Sequence, residues 1–117
     1  MRITNMLAGV AVKDLDQSIA WYALLIGSAP VRRDAEVAEW RFEGGCCLRL
    51  MRRTPGAPGA SVTLVVDDLD QQLEQMDGAG LRPTRRQDAD AVRIAFLRDP
   101  DGNQLVLAQV LSAALAC

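Results

Sequence analysis

Val10-Ala-Val-Lys-Asp14-Leu-Asp16-Gln17 comes back 54 residues later as Leu64-Val-Val-Asp-Asp68-Leu-Asp70-Gln71. Further along, Gly27-Ser-Ala-Pro30-Val-Arg32-Arg33 matches Gly80-Leu-Arg-Pro83-Thr-Arg85-Arg86 at a separation of 53. Gly45-Cys-Cys-Leu-Arg-Leu50 then matches Gly102-Asn-Gln-Leu-Val-Leu107 at 57. Three landmarks in one order, with drifting spacing, mark a duplicated unit that has gained and lost loop residues.

Each copy has the same rhythm. Residues 6–12 and 61–66 are short, apolar, β-branched runs and read as strands. Asp14 or Asp16, and Asp68 or Asp70, are the N-cap candidates for the helices that follow, because a carboxylate accepts from free N–H groups at the positive helix end. Ile19, Tyr22, Leu25 and Ile26 recur at helical spacing in the first copy, as do Leu69, Leu73 and Met76 in the second. Gly27 and Gly80 are placed to end the helices, and Pro30 and Pro83 to keep them ended. Three strands complete each copy, at 31–34, 37–42 and 46–52, then at 83–86, 91–97 and 104–109. The expected fold is α+β, two βαβββ units in one domain: 1–52, a Pro- and Gly-rich linker at 53–60, 61–110, and an apolar tail at 111–117.

Composition bounds the function. A chain of 117 residues, 50% apolar and 24% charged, suits one folded domain and not a disordered one. Its net charge of -2 supplies no broad positive field for nucleic acid. The apolar run at 6–12 is too short to span a membrane. Cys46 and Cys47 are adjacent, point to opposite faces of a strand and form no CxxC, so a reducing cytoplasm is the expected compartment. There is no histidine anywhere, which removes the commonest general base and transition-metal ligand.

Val12-Lys-Asp14-Leu-Asp-Gln-Ser18, Trp21-Tyr22, Gly27, Val66-Asp-Asp68-Leu-Asp70, Gly78-Ala-Gly80 and Asp99-Pro-Asp-Gly-Asn103 together resemble the vicinal oxygen chelate superfamily. That group contains glyoxalase I, extradiol dioxygenases, and fosfomycin and bleomycin resistance proteins. The resemblance covers nearly the whole chain. It implies paired βαβββ units curling into an open barrel around a cleft, commonly in homodimers. It also implies, for the enzymes, a divalent ion held by four His, Glu or Gln side chains on first and last strands. Matched by motif, those positions fall at Leu7, Arg49, Ser61 and Val106. Leu and Val have no lone pair to give, Ser is a poor ligand, and Arg is a fixed cation. A shift of one residue offers only aliphatic side chains. No metal, cofactor or catalytic residue is therefore expected.

With those positions facing the cleft, strand alternation sends Leu7, Cys47, Arg49, Met51, Ser61, Thr63, Gln104 and Val106 there. The intervening residues, Val10, Val12, Leu48, Leu50, Val62, Leu64, Leu105 and Leu107, are left to pack under the helices. Trp40 and Phe42 share a strand face and form either an aromatic wall for a planar ligand or part of a core. Arg49 either clamps an anionic group or pairs with Glu39 or Glu43. The leading expectation is a metal-independent protein that binds a planar or aromatic drug-like molecule, like the bleomycin-resistance branch. The alternatives are a superfamily lyase, isomerase or dioxygenase with atypical ligands, and a non-catalytic interaction dimer.

Overall fold

The computed structural model describes residues 1–111. It divides into two compact units, residues 1–60 and the chain from Ser61 onward, and each has the βαβββ order read from the repeat. The first runs β1 (Leu7–Val12), α1 (Leu15–Ile26), β2 (Arg32–Arg33), β3 (Val37–Arg41) and β4 (Cys47–Arg52), with a 3-10 turn at Glu43–Gly45. The second runs β5 (Ser61–Val65), α2 (Leu69–Gly78), β6 (Arg85–Asp88), β7 (Val92–Arg98) and β8 (Gln104–Val110). β6 starts two residues later than its expected place. The tail expected at 111–117 lies, from residue 112 on, outside the described residues.

Both units order their strands alike, β1-β4-β3-β2 and β5-β8-β7-β6. β1 runs parallel to β4, and β5 parallel to β8, because the helix carries the chain back across the sheet. The other neighbours are antiparallel. β1, β2, β5 and β6 are therefore edge strands of their own sheets.

The helices begin where a carboxylate can cap them. Asp14 Oδ1 accepts from the Gln17 N–H, and Asp68 Oδ1 from the Gln71 N–H, each at 3.1 Å. Of the two cap candidates in each copy, the structure uses the first. Gly27 ends α1 at φ 88, a left-handed conformation that a side chain would resist. α2 is capped by Ala79, and Gly80 takes the positive φ one step later. Leu15, Ile19, Tyr22 and Leu25 turn one stripe of α1 onto β3 and β4. Leu69 and Met76 do the same for α2 over β7 and β8. Beneath them lie Val10, Val12, Leu48 and Leu50 in one unit and Val62, Leu105 and Leu107 in the other, all buried. Each such side chain contributes about 1.5–3 kcal/mol.

Polar side chains fix the connections. Asp99 Oδ1 accepts from the N–H groups of Asp101 and Asn103, and its Oδ2 from Asn103 Nδ2. That network shapes the turn between β7 and β8. Asp70 meets Arg86 at 2.6 Å and Arg93 at 3.5 Å, tying the start of α2 to the sheet, as Asp16 and Arg33 tie α1 in the first unit.

Replacing either helix cap, Asp14→Ala or Asp68→Ala, is expected to cost about 1 kcal/mol of stability. Urea unfolding measures it, and an unchanged midpoint in both variants would show the caps to be idle.

Candidate functional site

A helix covers one face of each sheet, so only the other face is left for a ligand. Alternation along the strands sorts the side chains between the two. In the first unit the burial pattern of β1 is exposed or intermediate at Leu7, Gly9 and Ala11, and buried at Val10 and Val12. β4 alternates likewise, with Cys47, Arg49 and Met51 half-buried between buried Leu48 and Leu50. The register pairs Leu7 with Cys47, Gly9 with Arg49 and Ala11 with Met51, which places all six on the helix-free face.

Glu39 on β3 stands opposite Arg49 on that face. Its carboxylate accepts from Arg49 Nη2 at 3.1 Å and meets Arg41 at 3.4 Å. The Glu39 side chain is only 6% exposed, against 32% for Arg49 and 65% for Arg41. The hydrogen bond from Arg49 holds the Glu39 carboxyl below its ordinary pKa, with help from the charges of both arginines, and outweighs the opposing effect of desolvation. Arg49 Nε is buried without an acceptor. Of the two readings of Arg49, the structure has the pairing with Glu39. Beside it, Met51 folds over Gly9, where an added Cβ would lie 2.8 Å from the Met51 Cε.

In the second unit the helix-free face carries Ser61 and Thr63 on β5, paired with Gln104 and Val106 on β8. β7 adds Phe96 opposite Val106 and Ile94 opposite Ala108. β6 brings Arg85 opposite Phe96, and its guanidinium carbon lies 4.2 Å from the centre of the Phe96 ring. This is a cation–π contact on a half-exposed aromatic.

The expected site residues thus fall into two sets, one per unit: Leu7, Cys47, Arg49 and Met51, and Ser61, Thr63, Gln104 and Val106. The expected aromatic wall of Trp40 and Phe42 beside Arg49 is corrected. Trp40 pairs with Leu48 and so lies on the helix-covered face, 2% exposed. Its ring sits 6.2 Å from that of Tyr22, and its indole N–H donates to the Ser28 carbonyl at 2.9 Å. Trp40 is core because the indole needs an apolar partner and one acceptor, and the end of α1 supplies both. Phe42 stands past the end of β3, at the entry to the 3-10 turn, half-buried. Phe96 is the aromatic that the strand register gives to a helix-free face.

The metal-ligand positions that the resemblance assigns, Leu7, Arg49, Ser61 and Val106, do not fit a divalent ion. Two are hydrocarbon, one is a lone hydroxyl, and the guanidinium is already engaged by Glu39. Among the described residues no group of three or more His, Cys, Asp or Glu is placed to hold a metal. A surface groove in the first unit lies elsewhere, at the start of α1, lined by Lys13, Asp14, Asp16, Arg33 and Arg52 among others. Its charges are mixed and it holds none of the expected site residues. No helix among the described residues is long and apolar enough to cross a membrane.

Comparison with known proteins places this geometry. A model of the glyoxalase-like domain matches residues 8–108. A solved structure of a glyoxalase/bleomycin resistance protein from Catenulispora acidiphila DSM 44928 is 34% identical, with a TM-score of 0.82, over 91% of this chain and 97% of that one. A bleomycin resistance determinant encoded on the transposon Tn5 is 26% identical at a TM-score of 0.72, over 92% of this chain and 98% of its own. A bleomycin-binding protein complexed with bleomycin gives 26% and 0.73, with the same coverage. No curated protein matches.

The depressed Glu39 carboxyl gives a pH signature. A folded-state pKa below the unfolded value of about 4.3 means that the pairing stabilises fully above that value and is lost as pH falls through the folded pKa. The stability gap between the native chain and Glu39→Gln is therefore expected to be widest near neutrality and to close as pH drops below about 4. Urea unfolding across that range measures it, and a gap independent of pH would remove the charge from the account.

Proposed function

We propose that this chain, which belongs to the glyoxalase-like domain family, binds a planar or aromatic small molecule without the help of a metal ion. Ligand binding in this family is supported by the bleomycin-binding neighbour. The observation that carries the reading for this chain is Phe96, a half-exposed aromatic on a helix-free sheet face, between Val106 on one side and Arg85 on the other. An aromatic ring held by strand pairing and by a stacked guanidinium is already ordered, so a planar ligand loses little entropy in meeting it. Thr63 and Gln104 offer a hydroxyl and an amide nearby on the same sheet to orient a ligand. The hydrocarbon, hydroxyl and engaged guanidinium at the family's ligand positions support binding without a metal.

The reading extends to the setting. The exposed, apolar Leu7 and Val65 on the edge strands β1 and β5, 45% and 66% accessible, support a homodimer. The unpaired thiols of Cys46 and Cys47 suit a reducing cytoplasm.

Calorimetric titration with a panel of planar aromatic compounds, bleomycin included, tests the binding. At least one is expected to bind equally well with and without a chelator. Phe96→Ala is expected to weaken it about tenfold, the worth of one good aromatic contact. Silence across the panel, or binding abolished by the chelator, overturns the proposal. Sedimentation at the mass of one chain would remove the dimer.

A further inference from the structure

The charges of this chain are not spread evenly over its faces. On the helix-free side of the first sheet stand Arg32, Arg41 and Arg49 against two carboxylates, Glu39 and Asp34, the latter 3.4 Å from Arg32. On the helix-free side of the second stand Arg85, beside Phe96, and Arg98, opposite Gln104, with no acidic residue at the paired strand positions of that face among the described residues. The carboxylates gather elsewhere, at the starts of the helices and in turns, as with Asp14, Asp68 and Asp99. A chain of net charge -2 therefore turns two positive faces outward from its sheets. Composition alone gives the opposite sign.

Several arginines elsewhere in the molecule are matched by carboxylates. Arg33 pairs with Asp16, Arg52 with Glu36, and Arg86 and Arg93 with Asp70. Arg85 and Arg98 have no carboxylate partner among the described residues. Arg98 donates one N–H to the Gly102 carbonyl at 3.0 Å and keeps its other donors. Arg85 lies over the Phe96 ring, its guanidinium carbon 4.2 Å from the ring centre, and a guanidinium can grip a carboxylate with two parallel hydrogen bonds.

We infer that the ligand of the second sheet is an aromatic anion, its ring against Phe96 and its carboxylate on Arg85 and Arg98. The inference rests on the small-molecule reading above and adds the sign of the ligand's charge. A cationic ligand would meet only like charge on this face, with no acidic group there to receive it. A neutral one would keep the ring contact and the hydrogen bonds of Thr63 and Gln104 but forgo the pairing with Arg85 and Arg98.

Three probes of one shape and different charge separate the cases: 2-naphthoate, 2-naphthamide and protonated 2-(aminomethyl)naphthalene, titrated calorimetrically into the native chain at low salt. The naphthoate is expected to bind about tenfold or more tighter than the ammonium compound, with the amide between them, and added salt is expected to narrow the spread. The double variant Arg85→Gln/Arg98→Gln is expected to lower naphthoate affinity about tenfold while moving the amide less than about twofold. Equal affinities, or a preference for the cation, overturn the charge assignment and leave the binding reading standing. Failure of all three probes overturns the charge assignment, and the binding reading falls with it only if the aromatic panel is silent too. A short single-stranded oligonucleotide that binds this face more tightly than naphthoate also overturns it, in favour of a nucleic acid.

Discussion

Burial of an aliphatic stripe from one helix against one side of a four-stranded sheet is the constraint on which each unit depends. A strand has two faces and a period of two, so committing Val10, Val12, Leu48 and Leu50 to the helix sends Gly9, Ala11, Arg49 and Met51 to the other side. A slip of one residue in register would bury Arg49 under α1 and expose Leu48. The charge of a guanidinium in that apolar layer makes the slip prohibitive. The same hydrophobic packing that holds the unit together therefore selects the side chains left for recognition.

The duplication allows position-by-position comparison. Ala38 and Ala95 occupy the same place in their sheets, opposite Leu50 and Leu107, and Trp40 corresponds to Leu97. On the helix-free side, the Glu39 and Arg49 pair corresponds to Phe96 and Val106. One copy filled that place with an ion pair, and the other with hydrocarbon. The flanking arginine was retained, as Arg32 in the first unit and Arg85 in the second. The helix-covered layers stayed aliphatic in both because packing tolerates little else there. The outer layers were free to diverge in chemistry.

This division also explains what could be read from the chain. The repeat, the caps at Asp14 and Asp68, and the alternation of β1, β4, β5 and β8 were legible, because each leaves a local pattern of fixed period. Trp40 was open to either face when read as a ligand wall. Its own strand held the answer, since Val37-Ala-Glu-Trp-Arg puts Ala38 and Trp40 on one side and two charges on the other. Phe96 left no such trace. β7 carries apolar residues on both sides, Val92 and Ile94 as well as Ala95 and Leu97, so only its pairing with β8 decides which way the ring turns. The pairing of Arg49 with Glu39 was one of the readings open in the sequence, but the 6% exposure of the Glu39 side chain and its second contact, with Arg41, were not legible there.

The contact between Gly9 and Met51 makes one patch of the first sheet deformable. The missing side chain at Gly9 leaves a notch in the first sheet, and an unbranched thioether covers it. A backbone or an aromatic ring there would fix the contour. A methionine has three rotatable bonds and a polarizable sulfur, and it can vacate the notch at small cost. That patch of the surface can change its contour by a rotamer change in place of a new mutation.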